Sequence, residues 1–325
     1  MEFPGGVDPQ RFSTYHDIAR LNIERCLAPL DSCNRPAISA HSVQKSRFLK
    51  LIADDGHVMA VRMRSTPQTG LVVDFEPVGL GKATAFTGLC AEHDNAIFTP
   101  IEKCEVDPSD PEHLFLLAYR SLLKEFHEQI VAASKLQSAY QYRVSEGLDS
   151  PDQPSRAGTY ATHRIITAYE THQYKIELDN ALLARDFSAL VHHVVSVKVS
   201  RPTVAGSSLY SVDDVDVGDE TLKLHFNLLP LSTDETIAVF SYVPRFGRAA
   251  RRHLRPMLRT DDRRRLHDLS RMTIENCGNL VLSPTFVAGW STEKREAIVQ
   301  HFIESALNPS VRHDSPHFEL LAPPA

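Results

Sequence analysis

No stretch of this 325-residue sequence approaches the roughly 18–20 consecutive apolar residues that a membrane-spanning helix needs, so a helical membrane protein is not expected. The opening "MEFPGGVDPQ" has no basic start followed by an apolar run. A secretory signal is therefore not expected either, and the expectation is a soluble, cytoplasmic protein. Cysteine is scarce. Cys26, Cys33, Cys90, Cys104 and Cys277 are too few and too scattered to form a disulfide framework at this length. In a reducing compartment, clustered cysteines bind metal or are simply buried. Basic charge is not in excess: 35 Lys and Arg face 41 Asp and Glu, and the formal charge of −6 argues against a protein that coats nucleic acid. There is no phosphate-binding loop, no G-x-S-x-G elbow around Ser207 and Ser208, and no internal repeat. The single "GLGKAT" is too short for a dinucleotide fingerprint and reads as a turn.

What is present is an ordinary globular composition, 42% hydrophobic and 23% charged, in a chain long enough for two domains. "QKSRFLKLIADDGHV" has Phe48, Leu49 and Ile52 on one helical face, with Gly56 as the expected C-cap. "HVMAVRM" and "TGLVVDFEPV" read as two strands joined by a turn at "STPQTG". A long helix is expected from Asp110, as N-cap, and Pro111, as first helical residue, with Leu114, Leu117, Leu122, Phe126 and Ile130 recurring on one side. After a turn-rich break at 146–158, a second helix is expected to fold back on the first. From Leu190, "LVHHVVSVKVS", "ETLKLHFNLLPL" and "ETIAVFSYVP" alternate as strands. "DDRRRLHDLSRMTIENC" and "STEKREAIVQHFIESAL" return to helical spacing.

The chemistry concentrates in two Cys/His clusters about 50 residues apart. "ERCLAPLDSCNRPAISAH" supplies Cys26, Cys33 and His41, and "TGLCAEHDNAIFTPIE" supplies Cys90 and His93. Zinc takes four tetrahedral sulfur or nitrogen ligands, and small loop-rich modules gain folding energy from such a site. A C-x2-H pair opening a helix suits it, because the first turn points both side chains at one ion and its N–H groups favour thiolate charge. The plainer alternative has the cysteines as small buried residues and His93 exposed. Pro100 predicts that the helix following Cys90 is short or begins late.

The sequences "AISAHSVQK" and "LCAEHDNAIF" resemble the HNH endonuclease family and its treble-clef relatives, over roughly residues 20–102. The longer block "AHSVQKSRFLKLIADDGHV … KATAFTGLCAEHDNAIFTPIE" also resembles a group of bacterial proteins, for which no activity is implied. The resemblance implies zinc held by Cys26, Cys33, Cys90 and His93, with His41 as the general base that activates water. Asp94 and Asn95 would be candidates for holding a catalytic Mg²⁺ or Mn²⁺. The sequence departs from the family pattern in four ways, one being Asp94 where the family often has a histidine. Six residues separate Cys26 from Cys33, Ala40 precedes His41, and no asparagine lies between Val43 and Cys90. His41 is alternatively a zinc ligand in place of Cys26, or a group bonded to backbone. Asp94 and Asn95 are alternatively helix caps.

Outside this block, residues 245–265 carry nine arginines. Arg248, Arg251, Arg252 and Arg255 are candidates for contacting DNA or RNA phosphate, or the stretch is a solvated face paired with Asp261, Asp262 and Asp268. Adjacent His192 and His193 cannot point at one metal from a regular strand, and one buried and one exposed ring is expected. Cys104 and Cys277 are expected to be buried thiols. The expected architecture is α+β: a treble-clef-like zinc module over 1–105, a helical hairpin over 106–188, and an antiparallel β-rich portion over 189–325. Two functions follow. One is a structural zinc module whose larger partner region recognises a nucleic acid or a protein. The other is a metal-dependent HNH-type endonuclease. A third, an enzyme acting through the C-terminal portion with zinc only structural, rests on no motif.

Overall fold

The computed structural model describes residues 14–15, 17–29, 33–66, 70–153, 155–212, 220–259, 262–307 and 315–321. Strands β1 (Ser39–His41), β2 (His57–Thr66), β3 (Gly70–Gly79) and β4 (Ala85–Thr87) precede helices α1 (Ala91–Lys103), α2 (Pro111–Ser145) and α3 (Arg156–Ala184). Strands β5 (Val191–Lys198), β6 (Val204–Val212), β7 (Leu222–Pro230) and β8 (Glu235–Tyr242) follow. Then come α4 (Gly247–Leu254), α5 (Asp262–Asn276), β9 (Val281–Leu282), α6 (Pro284–Ala288) and α7 (Thr292–Leu307). The fold is α+β with an antiparallel main sheet. The chain divides into two compact units, each drawn from separate stretches. One comprises Met1–Ile38, Thr87–His93 and Leu123–Ala184, the other Ser39–Phe86, Asp94–Leu122 and Arg185–Ala325.

The first unit is built on a knuckle and a helical hairpin. The flanks of the knuckle are paired, with Arg25 bridged to Pro36 and the Ala37 N–H donating to the Glu24 carbonyl at 3.0 Å. The Leu27 and Ile38 amides donate to the Gly88 and Leu89 carbonyls, both at 2.8 Å, which ties the knuckle to the segment ahead of α1. The helical hairpin forms from the second part of α2 and α3. Phe126 stacks on His172 at 5.6 Å, and Asp149 in the connection accepts from Arg143 at 3.3 Å. α3 buries small residues at a helical period, Ala161, Ala168, Thr171 and Ala181, together with the larger Tyr174 and Leu178 and the Lys175–Asp179 ion pair.

The second unit holds a seven-stranded sheet in the order β3-β2-β9-β6-β7-β8-β5, every neighbouring pair antiparallel. β2 and β3 pair from His57–Gly79 to Thr66–Gly70, so Ser65, Thr66 and Gly70 of the turn expected at "STPQTG" are strand, and its residues 67–69 lie outside the described residues. β7 and most of β6 and β8 are buried on both faces, as central strands covered by helices are. β6, "VAGSSLYSV", gives no alternating signal because Ala205, Gly206, Ser207 and Ser208 are all small. The N-cap of α2 forms as its sequence requires: Asp110 Oδ1 accepts from the Glu112 N–H at 2.8 Å.

Four local expectations need correction. "QKSRFLKLIADDGHV" is not a helix: turns lead into a single 3₁₀ turn at Leu49–Leu51, although Phe48, Leu49 and Ile52 are all buried. Gly56 is not a helix C-cap. Asp55 (φ 46°) and Gly56 (φ 74°) are the central pair of a tight turn closed by both Asp54–His57 backbone hydrogen bonds, the Asp-Gly chemistry of a type I′ hairpin. α1 is neither short nor late: it starts at Ala91 and runs 13 residues through Pro100. Proline removes one N–H near the last turn, and burial of Phe98 and Ile101 outweighs that loss. Cys104 is exposed, because α1 has ended at Lys103, whereas Cys277 is buried as expected.

Candidate metal centre and arginine helix

Cys26, Cys33, Cys90 and His93 converge within the first unit. One donor atom from each lies within 4.8 Å of all the others. Cys26 Sγ is 3.4 Å from His93 Nδ1, Cys90 Sγ is 3.3 Å from the same nitrogen, and Cys33 Sγ is 3.8 Å from Cys90 Sγ. The four could hold a metal ion. The knuckle delivers Cys26 and Cys33. The helix start delivers the other pair, because Cys90 immediately precedes α1 and His93 is its third residue, one turn on.

Backbone donors tune the sulfurs. The Cys90 N–H donates to Cys26 Sγ at 3.2 Å. Burial raises the Cys90 thiol, but hydrogen bonds from the His93 N–H and from Cys26 and Cys33, with the nearby Arg35 guanidinium, hold it below the ordinary thiol range. That is the thiolate-favouring helix start expected from the sequence. Burial dominates at Cys26 and pushes its thiol up. Arg35 also pairs with Glu92 at the same end of the unit. A residue overlooked in the sequence supports the knuckle: buried His127 of α2 donates from Nε2 to the Ile23 carbonyl at 3.0 Å. A lone histidine on an apolar helix face gave no signal for that role.

His41 is not part of this cluster. It ends β1, half-buried, with Nδ1 2.9 Å from the Ala83 carbonyl. A carbonyl only accepts, so in the neutral ring Nδ1 carries the proton and Nε2 the lone pair. The segment is clamped on both sides: the Ser42 N–H donates to the Thr84 carbonyl at 3.0 Å, and Asn279 Nδ2 donates to Ser42 Oγ at 2.5 Å. Asp94 senses Arg120 and Glu102, and burial raises its carboxyl above the ordinary range. Arg120 is almost fully buried, donates to Glu102 at 2.7 Å and lies 3.9 Å over the Phe98 ring. Asn95 is exposed, and its side chain faces the Thr99 hydroxyl at 3.4 Å. Among the described residues, no hydrogen bond or ion pair joins His41 to Asp94 or Asn95.

The arginine stretch becomes α4 and the start of α5. α4 buries Ala249, Ala250 and Leu254, while Arg248, Arg251, Arg252 and Arg255 are all exposed. Arg251 hydrogen-bonds the Tyr242 hydroxyl, which is 2.9 Å from His193 Nε2. Of the acidic partners expected for this stretch, Asp268 pairs with Arg259 at 3.6 Å and Arg271 at 3.8 Å. Asp261 and the Asp262 side chain lie outside the described residues. Further along, Arg259, Arg263, Arg264 and His267 line a cavity of about 560 Å³ together with Asp268 and Glu319.

His192 and His193 do take opposite faces of β5, but both are half-buried rather than one buried and one exposed. The reason is cover on each side: His192 Nδ1 meets Ser241 Oγ at 2.7 Å, on the face where Ser121 of α2 packs against His225, and His193 meets Tyr242 beneath α4. Among the described residues, no helix is long and apolar enough to cross a membrane. Compared with protein-family models, curated proteins and solved structures, the chain matches none of them.

Proposed function

We propose that Cys26, Cys33, Cys90 and His93 hold a structural Zn²⁺ in a treble-clef-like module, and that the protein contacts a nucleic-acid backbone through the exposed arginines of α4. The observation that carries the metal reading is the set of donor separations. With Zn–S about 2.3 Å and Zn–N about 2.0–2.1 Å, tetrahedral ligands stand roughly 3.5–3.8 Å apart. The S···S distance of 3.8 Å matches that geometry, and the S···N distances of 3.3 and 3.4 Å are within about 0.2 Å of it. The order knuckle, paired β1 and β4, then a helix opened by the second ligand pair supports the treble-clef assignment. Four arginines on one short solvated face supply forks that match phosphate oxygens.

One observation favours a second reading, an HNH-type nuclease. The Ala83 carbonyl fixes His41 in the tautomer whose Nε2 can accept a proton, which a general base requires. On this reading His41 activates water, and Asp94 and Asn95 would help hold Mg²⁺ or Mn²⁺. The burial of Asp94 against Arg120 favours a structural role for that carboxylate instead. Plasmid binding and nicking with Mg²⁺ or Mn²⁺ separate the two readings. The structural-zinc reading expects binding without cleavage. Cleavage that disappears in His41→Ala would replace it with the nuclease reading.

A further inference from the structure

α3 carries two apolar seams, and the fold uses only one. Its inward seam, through Ala161, Ala168, Thr171, Leu178 and Ala181, is buried. A second seam runs along the solvated side through Ile166, Tyr169, Gln173, Ile176, Asn180 and Leu183, and all six are exposed. Their spacing alternates three and four residues without a break, which is the a/d pattern of a helix that expects another helix. Ile166, Gln173 and Asn180 take the a positions; Tyr169, Ile176 and Leu183 take the d positions.

The apolar members are large and open: Ile166 is 50% exposed, Tyr169 63% and Leu183 55%. With Ile176 between them and Ile165 flanking Ile166, they form a patch on the order of several hundred Å², beyond what scattered surface residues produce. Two such faces together approach the ~1,200 Å² at which specific interfaces begin. From Ile166 to Leu183 the seam is about 27 Å long at 1.5 Å per residue. The two polar a positions identify the occupant. An asparagine at a costs stability against an apolar partner but pairs with an identical asparagine in register, fixing alignment and oligomer state.

We infer that the protein dimerises through this face, α3 of one copy lying parallel and in register against α3 of a second, with Asn180 opposite Asn180. The symmetry brings Ile166, Tyr169, Ile176 and Leu183 each against its own counterpart. This inference stands apart from the zinc reading, since none of these residues belongs to the Cys/His cluster.

Sedimentation of the full chain at tens of micromolar is expected to give a dimer. Ile176→Glu is expected to give a monomer with unchanged metal content and an unchanged far-UV spectrum, because the residue is on the solvated face. For orientation, Leu183→Cys in a Cys104→Ser background is expected to form a disulfide-linked dimer under mild oxidation, since parallel d positions face each other. A monomeric wild type overturns the inference. So does a dimer that survives Ile176→Glu, which would put the interface elsewhere. A dimer sensitive to Ile176→Glu but not cross-linked through Leu183→Cys overturns the parallel, in-register arrangement.

Discussion

Cys33 and Cys90, 57 positions apart in the chain, bring their sulfurs to 3.8 Å. That is far beyond the roughly 2.05 Å of a disulfide and matches two ligands of one tetrahedral ion. The knuckle places one sulfur and the start of α1 places the other. Hydrogen bonds from Leu27 to Gly88 and from Ile38 to Leu89 hold the two backbones together. The pairing is therefore a property of the first unit's backbone as well as of the thiols.

A structural ion held by these four residues would contribute directly to folding. Chelation, or Cys33→Ser, is expected to lower the melting temperature by roughly 15 °C, the response to about 3–4 kcal/mol in a unit of this size. The loss should appear in the far-UV signal of the helical hairpin. Scanning calorimetry with and without chelator checks it, and identical transitions would count against the assignment.

Arg120 carries the clearest buried charge near α1. Its guanidinium is neutralised by Glu102 at 2.7 Å, with Asp94 acting at longer range. Replacing Glu102 with leucine leaves that charge buried and weakly compensated, and is expected to cost about 3 kcal/mol. Asp94→Asn should cost less, since the Asp94 carboxyl is itself disfavoured by burial. Urea unfolding of the two variants gives the order. A larger loss for Asp94→Asn would contradict this account of the cluster.

Two histidines set the acid limit of the sheet. Burial pushes His192 down to about 4 and His225 down to about 3, with neighbouring positive groups adding to the shift. Both are below the unfolded value near 6.5, so the unfolded chain binds more protons over the interval between. Stability is fully present above about pH 6.5 and falls as the pH drops toward 4 and then 3. At about 1.4 kcal/mol per pKa unit the combined loss is several kcal/mol. His225→Asn is expected to flatten the slope. Stability that rises between pH 6.5 and 4 would refute the sign.

The α4 arginines make a prediction that depends on salt. Arg248→Ala and Arg255→Ala should each weaken DNA or RNA binding uniformly across sequences and reduce the slope of log K against log salt by about 1. Fluorescence anisotropy over a salt series measures it. A slope unchanged in both variants would remove the phosphate reading from α4.

The metal cluster was legible because its chemistry is local: a C-x2-H pair at a helix start and a second cysteine pair upstream are enough to suggest a shared ion. The elements with strong periodicity, such as α2 from Asp110 and strands β5, β7 and β8, were legible for the same reason. β6 was not, because its run of small residues, Ala205 to Ser208, carries no alternation of apolar and polar side chains and little β-propensity. Pro100 misled because tertiary burial of Phe98 and Ile101 holds α1 together around it. Gly56 misled because an Asp-Gly pair serves a tight turn as well as a helix end, and only φ distinguishes them. His127 was invisible as an anchor, since its partner is a backbone carbonyl 104 positions away.

X-ray absorption at the zinc edge, combined with elemental analysis of protein purified without added metal, tests the central claim most directly. The account predicts one zinc per chain, with three sulfurs at about 2.3 Å and one nitrogen at about 2.0–2.1 Å. A chain that purifies without zinc, or a zinc shell of oxygen and nitrogen alone, would contradict it.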